Sequence, residues 1–229
     1  MAFCVWMSGD HERAVALGQR ALDIAQTLGD VALQVRTGFY VGQAFHAMGN
    51  YGRSIDVLNE LSTALDGELR RTRLGMAGLR SVFCRTWLVW CLAESGAFAE
   101  GNARGEEGVQ IAQEVEHPFS LAVAYVGLGF VYLRQGHFQR AISVLERDLE
   151  VCETWHIGLM IPWASSMLGA AYGLAGRLAE AQPLLQQAVE QAAEMGILGR
   201  QPLQMAWLGE VHLLAGRLDA ALTVAQPAL

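Results

Sequence analysis

Apolar residues recur along this chain at helical spacing, and the apolar stretches end on glycines at a fixed interval. Gly9, Gly49, Gly96, Gly136, Gly176 and Gly216 stand 40, 47, 40, 40 and 40 residues apart. Seven residues before four of them comes a second glycine: Gly42, Gly129, Gly169 and Gly209. Each is preceded by Val41, Leu128, Leu168 or Leu208, and followed three residues later by Phe45, Tyr132, Tyr172 or His212. These positions share one helical face. The pattern predicts a helix with a notch in its apolar stripe, ending on a glycine in the left-handed C′ position. Beyond that glycine a second apolar period begins. A small residue comes five later (Ala14, Ser54, Ala141, Ala181, Ala221) and a leucine nine later (Leu58, Leu145, Leu185). Two helices per unit, repeated at this period, predict a stack of supersecondary units rather than a globule around one centre.

A mid-helix glycine costs about 1 kcal/mol against alanine. Repeating that cost in register implies that a neighbouring helix comes close at each notch. Pro162 and Pro202 fall in first turns, where the missing N–H has no helical partner. Pro183 lies further into its second helix and is expected to strain or delay that helix's start. The unit around Gly96 departs from the pattern. Val89 replaces the small residue, and Gly101, Gly105 and Gly108 predict a soft, frayed second helix. The 47-residue interval carries seven extra residues, placed between Leu65 and Ser81, with Arg70, Arg71 and Arg73 among them. Two readings are open. The stretch is a protruding basic knob for a carboxylate or phosphate, or it is a longer helix or loop with a solvated charged face.

The run Leu168-Gly169-x-x-Tyr172-x-x-x-Gly176-Arg177-Leu178-x-x-Ala181-x-x-x-Leu185-x-x-Ala188 resembles a tetratricopeptide repeat. The resemblance spans nearly the whole chain, with a period of 40 in place of the family's usual 34. The extra length implies helices longer by under two turns. The wording of Gly127 to Gly136, and of Leu214 to Asp219, is similar to the C-terminal arrays of bacterial adenylate/guanylate cyclases that also carry an ATPase module. The cyclase and ATPase motifs themselves are not in this sequence. The expected fold is all-α: a right-handed solenoid of antiparallel helix pairs, about five and a half of them. It forms a single array over residues 1–229. Neither Ala2–Ser8 nor Asp219–Leu229 reads as a polar capping helix, which solenoids need for solubility. The expectation is a fragment of a longer polypeptide cut at both ends. The alternative is an array that buries Phe3, Trp6 and its C-terminal helix by self-association.

In the tetratricopeptide fold the first helices line the concave side. The resemblance therefore implies a partner-binding groove. Arg36, Phe39, Gln43 and His46 fall in it, then Phe83, Thr86, Trp90 and Glu94. Val126, Phe130 and Arg134 follow, then Trp163 and Ser166, then Leu203 and Glu210. Aromatics there could anchor an apolar peptide or helix, with Arg36, Arg134, Glu94 and Glu210 setting its orientation. The alternative is that the aromatics pack between adjacent first helices. The family's carboxylate clamp is not supported, because the matching positions read Phe39, Gln43, Phe83, Val126 and Gly127.

Composition narrows the function. Apolar residues make up 52% of the chain and charged residues 17%, which suits a large core and excludes disorder. A net charge of −7 argues against nucleic acid or an anionic membrane as partner. All 16 basic residues are arginine, so lysine-dependent chemistry is excluded. Cys4, Cys84, Cys91 and Cys152 lack metal spacing and read as buried thiols in a reducing cytoplasm. Met1 to Met7 is not a signal peptide, and Leu159 to Ala175, with Pro162 and two serines, is too short for a membrane span. The six histidines sit at different repeat positions, and Glu106 and Glu107, being adjacent, point to different faces. No nucleophile elbow, zinc-protease or P-loop motif occurs. The expectation is therefore no enzyme, no metal and no cofactor. The expected function is a protein-interaction scaffold, or the regulatory arm of a larger cytoplasmic bacterial signalling protein. Its partner is a protein, a peptide or another domain of the same polypeptide. The alternative is a ligand- or peptide-sensing module controlling an attached catalytic domain.

Overall fold

A computed structural model describes residues 10–196 and 201–226, which form eleven α-helices and one 3-10 turn, with no strand among the described residues. Packing divides the chain into two compact units, Met1–Gly127 and Leu128–Leu229. The first unit holds α1 (His11–Leu28), α2 (Val31–Ala47), α3 (Tyr51–Ala64), the 3-10 turn Gly67–Arg71, α4 (Arg80–Glu94), α5 (Phe98–Glu114) and the start of α6 (Pro118–Arg134). The second holds the end of α6, then α7 (Phe138–Thr154), α8 (Ile161–Leu174), α9 (Leu178–Glu194), α10 (Gln201–Leu214) and α11 (Leu218–Ala225). In the first unit α1 to α5 pack each on the next, and in the second α7 to α11 do the same; first helices also pack on first helices, α2 on α4 and α8 on α10. Gly9, Phe3, Trp6 and Cys4 lie outside the described residues.

The turns follow directly from the marker glycines. Gly49, Gly96, Gly136, Gly176 and Gly216 all have φ between 71 and 81°. At each, the next residue's N–H returns to the carbonyl five residues back, as from His137 to Tyr132 (2.9 Å) and from Arg177 to Tyr172 (2.8 Å). This is the bond pattern that closes a helix through a left-handed residue. Four of the second helices also end on a left-handed residue, a regularity the sequence hides. Gly29 and Gly196 fill that place in two units, but Glu116 (φ 52°) and His156 (φ 53°) fill it in two others. A side chain in this conformation costs roughly 1–2 kcal/mol. His156 is exposed, so His156→Gly is expected to gain about 1 kcal/mol in urea unfolding, net of glycine's extra chain entropy.

The notches are filled as the pattern requires. A Cβ on Gly42 would lie 3.0 Å from Leu58. On Gly129 it would lie 2.6 Å from Leu145, and on Gly169 2.6 Å from Leu185 and 3.2 Å from the Ala181 carbonyl. Leu58, Leu145 and Leu185 are fully buried, and so are Ser54, Ala141 and Ala181 beside them. Ser54 adds a hydrogen bond to the Gly42 carbonyl (2.8 Å). Gly209 is the exception: among the described residues only the Ala221 carbonyl is near, at 3.8 Å. The leucine position there is Ala225, so the notch has nothing to receive.

Two expectations are corrected. α5 is a regular 17-residue helix, not a frayed one, because Gly101, Gly105 and Gly108 are buried in packing. The sizes are exchanged in this unit: buried Val89 stands at the glycine position and Gly105 at the leucine position. Pro183 neither delays nor stops its helix. α9 begins at Leu178 and carries the proline inside it.

One core position is polar. Asp148 on α7 is fully buried where the sibling helices have Leu61, Gly108 and Ala188. Its Oδ1 meets the Cys152 thiol at 3.6 Å, and its Oδ2 has no partner. Burial pushes the carboxyl well above its ordinary range. The folded pKa thus exceeds the unfolded one. The stability it allows is present at low pH and lost as pH rises through the raised value. Asp148→Ala is expected to gain about 1–3 kcal/mol near pH 8 and to flatten the alkaline decline in a series of melts.

Candidate partner-binding groove

Arg36, Phe39, Gln43 and His46 recur at three- and four-residue steps, so α2 shows them on one face. The next first helix, α4, answers with an aromatic row. Phe39 meets Phe83 and Trp87 at ring distances of 6.2 and 6.3 Å. His46 meets Trp87 at 5.1 Å, and Trp87 meets Trp90 at 4.8 Å. These are edge-on distances at which aromatic pairs attract beyond their buried area. The result separates the expected site residues into two groups. Phe39, Gln43, Thr86, Trp90 and Val126 are buried and form a packed floor. Thr86 is held there by its bond to the Val123 carbonyl (3.2 Å). Phe83, His46 and Glu94 are half-buried, and Arg36 is exposed. For Phe39 and Trp90, packing between first helices is what the structure shows, so neither presents its ring to a partner.

The second unit divides in the same way. Phe130 and Ser166 are buried, Trp163 and Leu203 half-buried, and Arg134 and Glu210 exposed. Arg134 lies over the Phe130 ring at 5.1 Å. Trp163, Ser166 and Leu203 come together around a crevice of ≈ 10 Å³. Met167, Gln204 and Trp207 complete its lining, and sequence reasoning missed all three. Gln204 spans the two first helices, donating to the Pro162 carbonyl (3.2 Å) and to Ser166 Oγ (3.4 Å). Trp87 was also missed. Its signal was the spacing Trp87-x-x-Trp90, which puts both rings on one helical face.

The extra residues do not form a free knob. Gly67–Arg71 is a 3-10 turn packed on α4, with its arginines reaching α5. Arg70 pairs with Glu107 (3.6 Å) and Arg71 with Glu114 (3.4 Å). Beneath them Arg85, 1% exposed, reaches Asp66 and Glu107, both at 2.8 Å. Burial opposes the Arg85 charge, but its bonds to Glu107 and Asp66 outweigh this and raise its pKa. Arg85's hydrogen bond holds the Glu107 carboxyl below its ordinary range, against the opposing effect of burial. Asp66, Arg70 and Glu107 are thereby committed to the structure.

Among the described residues no three His, Cys, Asp or Glu side chains are grouped to hold a metal. Burial pushes Cys84 up to about 12 and Cys91 to about 11, so neither is a thiolate near neutrality. No described helix is long and apolar enough to cross a membrane.

Family models of the tetratricopeptide repeat match residues 120–194 and 202–227. Those two stretches carry tetratricopeptide repeats. Its fold is similar to a Rap protein complexed with competence and sporulation factor, at TM-score 0.75 and 15% identity. That similarity covers 97% of this chain and 60% of the other. It is also similar to BtubC from P. vanneervenii (TM-score 0.68, 17% identity, 95% and 89% covered). A third structure is a signal transduction ATPase with numerous domains, with a tetratricopeptide repeat sensor, from Pyrococcus horikoshii. It matches at TM-score 0.61 and 14% identity over 99% of this chain, which spans 34% of that protein. No curated protein sequence matches. At these identities the likeness establishes the fold, an all-helical tetratricopeptide solenoid, and such a fold suggests a protein–protein interaction module.

Proposed function

We propose that this tetratricopeptide array binds a segment of a protein partner along its first helices. In this reading it serves as a scaffold or regulatory arm of a larger bacterial signalling protein in the cytoplasm, of the kind that joins a nucleotidyl cyclase to an ATPase. The observation that carries the reading is the layering of the first-helix face. A rigid aromatic floor lies below half-buried Phe83, His46 and Glu94 and exposed Arg36 in the first unit. Half-buried Trp163 and Leu203, with exposed Arg134 and Glu210, take that place in the second. Aromatic anchors with charged neighbours on a rigid scaffold suit a partner segment. The test is a photo-crosslinker placed at Phe83 or Trp163, with Gln186, exposed on a second helix, as control. One discrete partner should crosslink from the first two positions and not from the third. Equal crosslinking from all three would sink the groove.

The structural likenesses to a Rap protein complexed with competence and sporulation factor, and to a protein with a repeat sensor, support a second reading. Here the occupant is a free peptide, and binding changes an attached catalytic domain. The same crosslinks separate the two, because the captured species is then a short peptide rather than a protein.

A further inference from the structure

Arg80 opens α4 at a repeat position that holds Leu33, Ser120, Met160 and Arg200 in the other units. It is 4% exposed. Its guanidinium lies over the rings of Phe39 (4.6 Å) and Phe83 (5.4 Å). Tyr40 hydrogen-bonds to it, but its Nε and Nη1 have no acceptor. Among the described residues no carboxylate forms an ion pair with it, and the cation nearby is exposed Arg36. The contrast with Arg85 is direct. Five residues along the same helix, that guanidinium receives two carboxylates. Among the described residues this buried cation thus has no ion-pair partner, and two of its nitrogens have no acceptor. Buried charges are ordinarily paired.

The place is also built. Gly78 runs so close to the adjoining rings that a Cβ would lie 2.4 Å from Phe83 and 3.2 Å from Phe119. The Leu79 N–H donates to Ser120 Oγ at 2.8 Å, pinning the start of α4. The extra residues of the 47-residue interval therefore fix where Arg80 sits. We propose that Arg80, together with Arg36, receives an anionic oxygen group, a carboxylate or a phosphate, carried by the partner segment in the first unit. This rests on the groove reading for the identity of the carrier. Arg36, Tyr40 and Phe83 form the solvent side, and partly exposed side chains of this kind rotate on picosecond to nanosecond timescales, opening a path to the guanidinium.

The test uses the whole chain labelled with ¹⁵N-arginine, with the Arg80 Nε–H signal identified from Arg80→Met. Sodium acetate and sodium phosphate are titrated separately at constant ionic strength, with chloride as reference. The Arg80 signal should shift saturably with at least one anion, and Arg36→Ala should weaken that response about five-fold or more. The anion that saturates identifies the group. An Arg80 signal that neither anion moves, or that chloride moves equally, overturns the proposal. Arg80→Met should melt no lower than the native chain, because it removes an uncompensated buried charge. A clearly lower melting temperature would assign Arg80 to holding Phe39 and Phe83 together and would also overturn it. The titration needs no partner, and the Trp163 crosslink does not involve Arg80, so either reading can fail alone.

Discussion

Gly169→Leu is expected to destabilise the second unit by about 3 kcal/mol or more, with the loss visible as a lowered melting temperature. The smallest possible side-chain atom at this site already lies 2.6 Å from Leu185 and 3.2 Å from a backbone oxygen. Leu185 could rotate away, but Ala181's carbonyl is part of α9 and could yield only if the helix moved. The control is Gly209→Ala, at the same repeat position, where the nearest contact among the described residues is the Ala221 carbonyl at 3.8 Å. There alanine should gain about 1 kcal/mol from helix propensity alone. Opposite signs at equivalent positions would tie the effect to the leucine opposite rather than to glycine chemistry. A native melting curve for Gly169→Leu would mean that the unit is misaligned.

Glu107→Ala should have the next largest effect, a loss of about 2–3 kcal/mol near neutral pH. Breaking a fully buried ion pair costs about 3–5 kcal/mol. Glu107 keeps 28% side-chain exposure, and Asp66 stays with Arg85, which reduces that figure. Arg85→Met combined with Glu107→Leu should recover much of the loss, because no buried charge then stands unpaired. The pH dependence has a definite sign. The Glu107 carboxyl titrates below its unfolded value, so its contribution is complete above the ordinary carboxylate range. It is lost as pH falls through the depressed folded value. An acid titration of stability should therefore be shallower in Glu107→Ala, and an unchanged acid limb would contradict the network.

These two sites mark what the sequence could and could not disclose. The glycine–leucine notches were legible because both halves repeat at one spacing, so 42 with 58, 129 with 145 and 169 with 185 announce one contact three times. The ion-pair network was not legible, because it occurs once. Arg85 and Glu107 lie 22 residues apart on different helices, and no periodic pattern links them. The sequence shows Glu107 only beside Glu106, on a different helical face. The groove was legible as a face but not as layers. Trp90 and Phe83 satisfy the same first-helix spacing, yet Trp90 is 1% exposed and Phe83 only half-buried. Helical periodicity states which way a side chain points. It does not state how near the adjacent first helix lies, and that distance decides between floor and rim.

The recurring turn has an evolutionary consequence. A stretch such as residues 137–176 starts just after one left-handed glycine and ends on the next, with matching backbone bonds at both. It is a cassette whose two ends fit each other. Genes for such chains can gain or lose whole cassettes without redesigning either neighbour. A single residue added inside a helix would instead turn every later side chain by about 100°. That explains why the one irregular interval carries its surplus in a 3-10 turn and loop, where it disturbs no helical phase.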